Sequence, residues 1–398
     1  MSNNIVLFRD EIKGEILSIL EFWGRYTYDK NLPGFTGFID NFMNINKNAN
    51  KGGILNSRIL WTFSRAYNIF NDERYISIAT HAFNFLKDYL YDSKYKGIYW
   101  VVDENLEPLD FNKHIYNQAF AIYALSEYYM ATRNKIALDL AYEIFDKIEY
   151  NAFDNVNGGY FEFLDRKWNT ITYIYGLESL PYMQKKIHNT HLHLLEAYNN
   201  FLKATRDTKV EKSLLHLVDI LLNKMLRKEI FHFGAFFDSK FNLIDTTISY
   251  GHDIESSWLI WETAEIIGDN NLKNSIKDII IKVADITFEE GIDNEFGGVY
   301  SEKYGNVLND KKVWWVQSEA VIGFLNAFQL TGDRKYFDAS INVWNFIKSK
   351  VIDNSDGYRE WYNELTREGN PLTHMPKVDF WKCPYHNSRM CFEVLNRI

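Results

Sequence analysis

Six glycine–aromatic clusters recur along the chain at nearly constant spacing. One glycine from each cluster marks the period: Gly37, Gly97, Gly159, Gly234, Gly298 and Gly357. The steps between these glycines are 60, 62, 75, 64 and 59 residues. A period of this kind is the signature of a repeat architecture. We therefore interpret the chain as six copies of one structural unit.

Each unit contains two helical patterns. Apolar residues recur at i, i+3, i+4 and i+7 between the clusters, and this periodicity predicts amphipathic helices. The predicted helices are 54–71, 74–91, 113–132, 135–149, 187–206, 209–226, 249–268, 271–288, 313–331 and 335–349. Two more are expected near 5–24 and 380–397, which gives every unit a pair. The loops between the helices are rich in Asn, Asp and Gly, which end helices and permit positive φ.

Six helical hairpins can close into a ring, and this predicts an all-α fold, an (α/α)6 barrel with six inner and six outer helices. The inner helices should be apolar around most of their circumference, because neighbours cover them on both sides. An open α-solenoid is the competing architecture. The count of six units without a capping repeat favours the closed barrel. No Pro-, Gly- or Ser-rich linker divides the chain, so we interpret residues 1–398 as a single domain.

Composition excludes several functional classes. The net charge of −9, without any basic run, argues against nucleic acid and anionic membranes and favours a neutral substrate. The only cysteines are Cys383 and Cys391, so there is no disulfide framework, which fits a reducing compartment. The N-terminus lacks the features of a signal peptide, and no stretch of 18 apolar residues occurs. We expect a cytoplasmic protein.

Polar and ionisable residues cluster at the start of every second predicted helix. If these six helices form the inner ring and run in one direction, their first turns converge on one mouth of the barrel. Groups from six distant segments would then line one pocket. The candidate residues are Arg58, His114, Tyr116, His188, Asn189, His193, His252, Glu255, Trp258, Trp315, Glu319, Trp381 and His386.

Spacing suggests how some of these side chains are arranged. His252 and Glu255 are i,i+3 on one helix face, so the carboxylate could set the imidazole tautomer; a purely structural hydrogen bond is the alternative. Asn189 and His193 are i,i+4 and can touch. His191 points elsewhere, and we interpret it as packing. Single histidines such as His114 and His188 are more often structural, and the tryptophans serve equally well as core residues or as platforms for sugar rings.

Motifs for metals, phosphates and nucleotides are missing from the sequence. There is no His-Glu-x-x-His, no Cys-x-x-Cys, no Walker pattern and no Gly-x-Gly-x-x-Gly. His191 and His193 would splay apart on a helix and could not chelate one ion. We therefore predict neither a metal nor a cofactor.

Six segments resemble the cellobiose 2-epimerases, a family of the N-acylglucosamine 2-epimerase superfamily. They are NSRILW (56–61), KHIYNQAF (113–120), NTHLH (189–193), SYGHDIESSW (249–258), WWVQSE (314–319) and WKCPYHN (381–387). The segments occur in order over nearly the whole chain. The resemblance is specific as a set, although no single segment is.

The resemblance implies an (α/α)6 barrel and a metal-free, nucleotide-free epimerisation at C2 of the reducing-end glucose of a β-1,4 disaccharide. It implies that His252 and His386 are the acid/base pair, that Arg58 stabilises an enediolate, and that His193, oriented by Asn189, assists ring opening. The implied sugar-contacting residues are Tyr116, Asn189, Glu255, Trp258, Trp315, Glu319 and Trp381. It also favours a monomer.

Three alternatives remain open from the sequence. A monosaccharide epimerase or isomerase of the same superfamily, acting on N-acylglucosamine, mannose or glucose, would use the same barrel and histidines. An inverting (α/α)6 glycoside hydrolase would use Glu255 and Glu319 as acid and base, but it leaves Arg58 and the histidines without a role. A non-catalytic sugar-binding toroid is the last alternative.

Overall fold

The computed structural model describes residues 2–171, 186–355 and 359–398, and within them the chain forms twelve α-helices. The helices are α1 Ser2–Tyr26, α2 Gly53–Phe70, α3 Glu73–Phe85, α4 Ile115–Thr132, α5 Lys135–Asn151, α6 His188–Thr205, α7 Thr208–Ile220, α8 Tyr250–Ile267, α9 Asn270–Ile286, α10 Trp314–Thr331, α11 Arg334–Phe346 and α12 Tyr385–Arg397. One π-helical turn each extends α3, α7, α9 and α11: Leu86–Leu90, Leu221–Met225, Thr287–Gly291 and Ile347–Val351.

Short antiparallel strands join the helices at one end of the molecule. They are β1 Lys51–Gly52, β2 Val101–Val102, β3 Pro108–Asp110, β4 Lys113–His114, β5 Phe163–Leu164, β6 Lys186–Ile187, β7 Leu226–Arg227, β8 His232–Phe233, β9 Phe236–Phe237, β10 Ile248–Ser249, β11 Glu302–Tyr304, β12 Val307–Asn309, β13 Lys312–Val313 and β14 Glu364–Leu365. They pair as β1-β2-β3, β10-β11-β12, β13-β14, β4-β5, β6-β9 and β7-β8. Five of these strands, β1, β4, β6, β10 and β13, end directly before an inner helix and hold its first turn.

The even-numbered helices form a closed ring. Contacts run from α2 through α4, α6, α8 and α10 to α12, and they return from α12 to α2. The odd-numbered helices form the outer layer, where α1 packs on α12 and each of the others packs on the inner helix before it. The predicted (α/α)6 barrel is therefore confirmed, because an open solenoid would leave its first and last units apart.

Burial separates the two layers as expected. Every residue of α4 from Ile115 to Tyr128 is buried, whereas α9 buries only Ile276, Ile280, Val283 and Ala284 along one face. An outer helix covers the core with one stripe, and an inner helix is surrounded on all sides. None of the described helices has the length and apolar character needed to cross a bilayer.

The glycine–aromatic clusters are turns that clasp the inner helices. Gly97 has φ +74°, and a Cβ at this position would lie 2.7 Å from Oε1 of Gln118 on α4. That oxygen accepts the N–H of Ile98 at 2.8 Å, and Nε2 of Gln118 donates to the Ile98 carbonyl at 2.8 Å. Gln317 on α10 holds Val299 in the same way. Glycine is thus required by both the positive φ and the close approach. The glycine of the sixth cluster, Gly357, lies outside the described residues.

Buried lysine–aspartate pairs fix the same loops to the strands. Nζ of Lys312 on β13 lies 3.1 Å from Oδ2 of Asp293, and both side chains are fully buried. Burial raises the pKa of a carboxyl, but hydrogen bonds from Arg367, two backbone N–H groups and Lys312 hold the pKa of Asp293 well below its usual range. Equivalent pairs are Lys113–Asp92, Lys186–Asp154 and Lys377–Asp353. Lys113, Lys186 and Lys312 lie on β4, β6 and β13, so their pairs anchor the strands that lead into α4, α6 and α10 to the neighbouring loops.

The last helix begins later than predicted. Oδ1 of Asp379 accepts the N–H groups of Trp381 at 2.7 Å and Lys382 at 2.6 Å, which closes a turn over residues that were expected to be helical. Pro384 then precedes α12, and Pro is well suited to a helix start. As a result, Trp381 lies on a loop at the barrel mouth.

The substitution Asp293→Asn tests the buried pairs. It leaves the Lys312 ammonium buried without an anion, and we expect it to lower the free energy of unfolding by about 3–5 kcal/mol, measured by urea denaturation. The control is Asp338→Asn, which breaks the exposed pair with Arg334 and should change stability by less than about 1 kcal/mol. Equal losses in the two variants would contradict a structural role for the buried pair.

Candidate active site

A cavity of about 270 Å³ lies where the first turns of the inner helices converge. Nine of the predicted site residues line it: Arg58, Tyr116, Asn189, His193, His252, Glu255, Trp315, Trp381 and His386. Of the other four candidates, Trp258 and Glu319 are fully buried behind its wall, and His114 and His188 line a wider cleft beside it. The convergence predicted from the sequence is therefore present, with contributions from all six inner helices or the loops before them.

A wider cleft of about 660 Å³ adjoins this cavity and shares Tyr116, Asn189, His252 and Trp381 with it. The Trp381 side chain is 51% exposed at the junction. Its ring lies 5.8 Å from that of Tyr116. The deep cavity thus continues outward past an exposed indole face.

Arg58 is a buried cation without a carboxylate partner. Its Nη2 donates to the Tyr116 hydroxyl at 2.7 Å, and Nη1 donates to the Trp381 carbonyl at 3.3 Å. The guanidinium lies 4.1 Å from the ring centre of Phe120 and 4.7 Å from that of Tyr385. Among the described residues, no Asp or Glu forms an ion pair with it, and its Nε has no hydrogen-bond partner. A positive charge held in this way is available to an anion in the cavity.

His386 is held by Glu319. Nδ1 of His386 lies 2.7 Å from Oε1 of Glu319, and the imidazole lies 5.5 Å from the Trp315 ring. Burial, followed by the positive charges of Arg389 and Arg58, lowers the pKa of His386 well below its usual value. The imidazole is therefore neutral at neutral pH, with its Nδ1 occupied.

His252 also lies beside Trp315, with its ring 4.8 Å from the indole. Its Nδ1 lies 2.8 Å from Oγ of Ser249, the residue that caps α8. Burial, with the nearby His193 as a smaller cause, lowers the pKa of His252 to about 3. The expected contact with Glu255 is wrong, because Glu255 bonds to Arg389 and the serine three residues before the histidine provides the partner.

His193 has a carboxylate partner as well. Its Nδ1 lies 2.9 Å from Oε2 of Glu196, which is i+3 on α6. The expected orientation by Asn189 is therefore replaced by Glu196. Oδ1 of Asn189 has no hydrogen-bond partner among the described residues, and neither has Oε2 of Glu255. Both residues line the cavity, so these two acceptors are available to the hydroxyl groups of a ligand.

Arg389 joins the three carboxylates below the cavity. Its guanidinium bonds to Glu196, to Glu255 and, at 2.7 Å, to Oε1 of Glu319. Burial raises the pKa of both Glu255 and Glu319 to about 7. The pKa of Glu196 is lowered to about 2, because Arg389 and His193 outweigh the effect of burial. One guanidinium cannot neutralise three carboxylates, so the cluster retains a proton up to neutral pH.

The same cluster bears on the prediction that no metal binds. Ligand atoms of Glu255, Glu319 and His386 lie within 4.8 Å of one another, a geometry compatible with an ion. Arg389 already bonds to both carboxylates, however, and Glu319 takes Nδ1 of His386. These donors are thus engaged by a resident cation, and the absence of a metal remains a prediction.

Three other histidines have structural partners. Nε2 of His191 accepts the N–H of Tyr160 at 2.9 Å. This contact fits the interpretation of His191 as a packing residue. His188 bonds to Ser256 at 3.1 Å, and His114 bonds to Asp110 at 3.0 Å.

Sequence reasoning missed Arg389, Glu196 and Ser249. Glu196 carried a signal, because it is a carboxylate within a buried apolar run and i+3 from a histidine. Trp258, expected to contact sugar, is a buried support whose Nε1 donates to Glu319 at 3.1 Å. Helical spacing does not predict that Trp258 lies behind the cavity wall.

Comparison with known proteins shows full-length similarity to one family. The sequence model of the N-acylglucosamine 2-epimerase (GlcNAc 2-epimerase) family matches residues 34–387. A cellobiose 2-epimerase of Bacteroides fragilis is 39% identical over 392 residues, covering 98% of this chain and 99% of the relative. One of Dictyoglomus turgidum is 41% identical over 380 residues, with 96% of each chain covered. The solved structure of cellobiose 2-epimerase from Bacillus thermoamylovorans B4167 has a TM-score of 0.92 at 36% identity, with 100% of both chains covered.

The tautomer of His386 tests the site geometry. At about pH 8 Glu319 is ionised, given its pKa of about 7, so it accepts a proton from Nδ1 and leaves Nε2 bare toward the cavity. ¹⁵N NMR of histidine-labelled protein should show this neutral tautomer, with the resonance assigned by its loss in His386→Asn. Nε2 protonation in the parent, or an unchanged spectrum in Glu319→Leu, would overturn the assignment.

Proposed function

Because the chain belongs to the N-acylglucosamine 2-epimerase family, we propose that it inverts C2 of the reducing-end glucose of β-1,4-linked disaccharides. The family and its full-length relatives make the chain an epimerase; the substrate and the mechanism are the proposal. Cellobiose is the lead substrate, with 4-O-β-glucosyl-mannose as product, and lactose is a second one. The observation that carries the proposal is Arg58, a buried guanidinium that has no carboxylate partner in the part of the chain that the structure describes and that lines the same cavity as three histidines.

The reaction requires a cationic group that stabilises negative charge on O1 and two groups that can accept or donate a proton at C2. The pyranose first opens, with His193 transferring the proton between the ring oxygen and O1, and this exposes the C1 aldehyde. Removal of the C2 proton then gives a cis-enediolate with negative charge on O1. The planar fork of Arg58 stabilises that charge. Return of a proton to the opposite face of C2 inverts the centre, and ring closure gives the product.

Two histidines are suited to this exchange. A single base would mostly return the proton to the face from which it came, whereas His252 and His386 enter the cavity from two different helices, α8 and α12, each with its ring beside Trp315. Both imidazoles are neutral at neutral pH, because burial lowers the pKa of each. One therefore serves as the base, and the other takes up a solvent proton to become an imidazolium before it donates that proton to C2. Glu319 at Nδ1 of His386 stabilises the imidazolium that forms.

Room for a second sugar ring supports a disaccharide over a monosaccharide. The cavity of about 270 Å³ opens past the exposed Trp381 into the cleft of about 660 Å³. Apolar C–H faces of a sugar can stack on this indole. A monosaccharide epimerase or isomerase of the same family is the alternative, because the deep cavity would serve it equally well.

The arrangement of the carboxylates disfavours a glycoside hydrolase. Ligand oxygens of Glu255 and Glu319 lie within 4.8 Å, and both residues bond to Arg389. An inverting hydrolase needs carboxyl groups about 6.5–9.5 Å apart on two sides of the scissile bond.

A cytoplasmic monomer acting on a neutral sugar without cofactor completes the proposal.

The direct test is isotopic. Purified protein with EDTA and cellobiose in D₂O should give 4-O-β-glucosyl-mannose carrying deuterium at C2, followed by NMR and sugar chromatography. His252→Asn and His386→Asn should lower kcat by about 10²–10⁴-fold, as expected for loss of an acid/base group. His216→Asn on the exposed face of α7 is the matched control and should retain activity.

Other outcomes would assign another function. Free glucose would indicate hydrolysis. No change in cellobiose, with deuterium entering mannose or N-acetylmannosamine, would indicate a monosaccharide enzyme. Binding of cellobiose without turnover would indicate a sugar-binding toroid.

The Arg389 cluster predicts the pH dependence. As the pH falls through about 7, the Glu255–Glu319 pair takes up a proton, and the support for imidazolium formation at His386 is lost. We expect kcat/KM for cellobiose to decrease below about pH 7, and the midpoint belongs to the pair rather than to one residue. Glu319→Gln should lower kcat/KM at all pH values and flatten this limb, because the carboxylate that takes up the proton beside His386 is absent. An unchanged limb in Glu319→Gln would contradict the assignment.

A further inference from the structure

A second, much smaller cavity of about 20 Å³ lies below the Arg389 cluster, on the far side from the candidate active site. Its lining includes Trp61 from α2, Asn199 from α6 and Arg389 from α12. It is too small for a sugar and large enough for one water molecule, which needs about 10–15 Å³.

Three polar atoms of these residues have no hydrogen-bond partner among the described residues: Nε1 of Trp61, Oδ1 of Asn199 and Nε of Arg389. The three residues are buried to 97% or more, with exposures of 3%, 1% and 1%. A buried polar group left without a partner is destabilising, because it has given up its hydrogen bonds to water. Three such groups around one cavity therefore point to a shared ligand.

We propose that this cavity binds one ordered water molecule. The water accepts hydrogen bonds from Trp61 Nε1 and Arg389 Nε and donates one to Asn199 Oδ1. Its second proton faces a wall that carries the carboxylates of Glu196 and Glu127. Two donors, one acceptor and a nearby carboxylate match the two lone pairs and two protons of water.

Other small ligands fit these groups less well. The lining carries the cations Arg65, Lys203 and Arg389 and the carboxylates of Glu127, Glu196, Glu262 and Glu393. An anion such as chloride would accept from Trp61 and Arg389, but it would also face the oxygen of Asn199 and these four carboxylates. A metal cation would be repelled by the Arg389 guanidinium and would meet two N–H donors. Direct pairing of Asn199 is limited, because its Nδ2 is directed to the Leu259 carbonyl at 3.5 Å.

The water would be a positioning ligand of Arg389. The other guanidinium nitrogens, Nη1 and Nη2, bond to Glu196, Glu255 and Glu319, and Glu196 and Glu319 bond to His193 and His386. A water on Nε fixes the plane of the guanidinium, and with it both carboxylate–histidine pairs. This consequence for catalysis rests on the proposed function, whereas the binding of the water does not.

A high-resolution crystal structure of the full chain tests the site. We expect density for one water within hydrogen-bonding distance of Trp61 Nε1, Asn199 Oδ1 and Arg389 Nε. An empty cavity, or an ion identified there by its anomalous signal, would overturn the proposal. Asn199→Leu, whose side chain has similar size without an acceptor, should show no density at this place.

Turnover tests the positioning role. Trp61→Phe removes one donor to the water, and we expect kcat for cellobiose to fall about 10-fold with KM little changed, as for loss of one hydrogen bond in the transition state. The control is Trp344→Phe, which removes an indole N–H bonded to Glu11 on the outer layer and should leave kcat unchanged. Equal kcat in Trp61→Phe and the parent would overturn the positioning role. If cellobiose is not a substrate at all, the crystal structure still decides whether the water binds.

Discussion

The pairing of one buried guanidinium with three carboxylates is the constraint on which the site depends. Arg389 on α12 bonds to Glu196 on α6, Glu255 on α8 and Glu319 on α10. A buried charge is tolerated only when it is paired and hydrogen-bonded, so these four inner helices cannot slide or rotate independently. The barrel therefore brings its polar residues into register through an interaction inside the ring.

Two buried arginines have opposite electrostatic roles at this site. Arg389 is surrounded by carboxylates, and its positive charge is neutralised by ion pairs with them. Two of these carboxylates in turn bond to His193 and His386. Arg58 is surrounded by aromatic rings and by neutral hydrogen-bond acceptors, so no carboxylate of the described residues compensates its charge. The difference decides which of them can stabilise an anionic intermediate and which of them orders the imidazoles.

The repeat could be predicted from the sequence because its cause is local. A positive φ at Gly97 and a glutamine clasp from the following inner helix recur in the unit of Gly298, and the two-helix period follows from apolar spacing alone. The same logic brought nine of the thirteen candidate residues to one cavity. The fold and the location of the site can thus be predicted from the periodicity of the sequence.

The hydrogen-bond partners within the site could not be predicted in the same way. Helical spacing makes Glu255 a neighbour of His252, yet Glu255 bonds to Arg389, 134 positions further along the chain. A buried cation competes for a carboxylate far more strongly than a neutral imidazole does, because leaving the cation unpaired is the larger loss. His252 then takes Ser249, a neutral partner, and His386 takes Glu319. His386 is therefore held by a pairing between units, whereas His252 and His193 have partners three residues away on the chain.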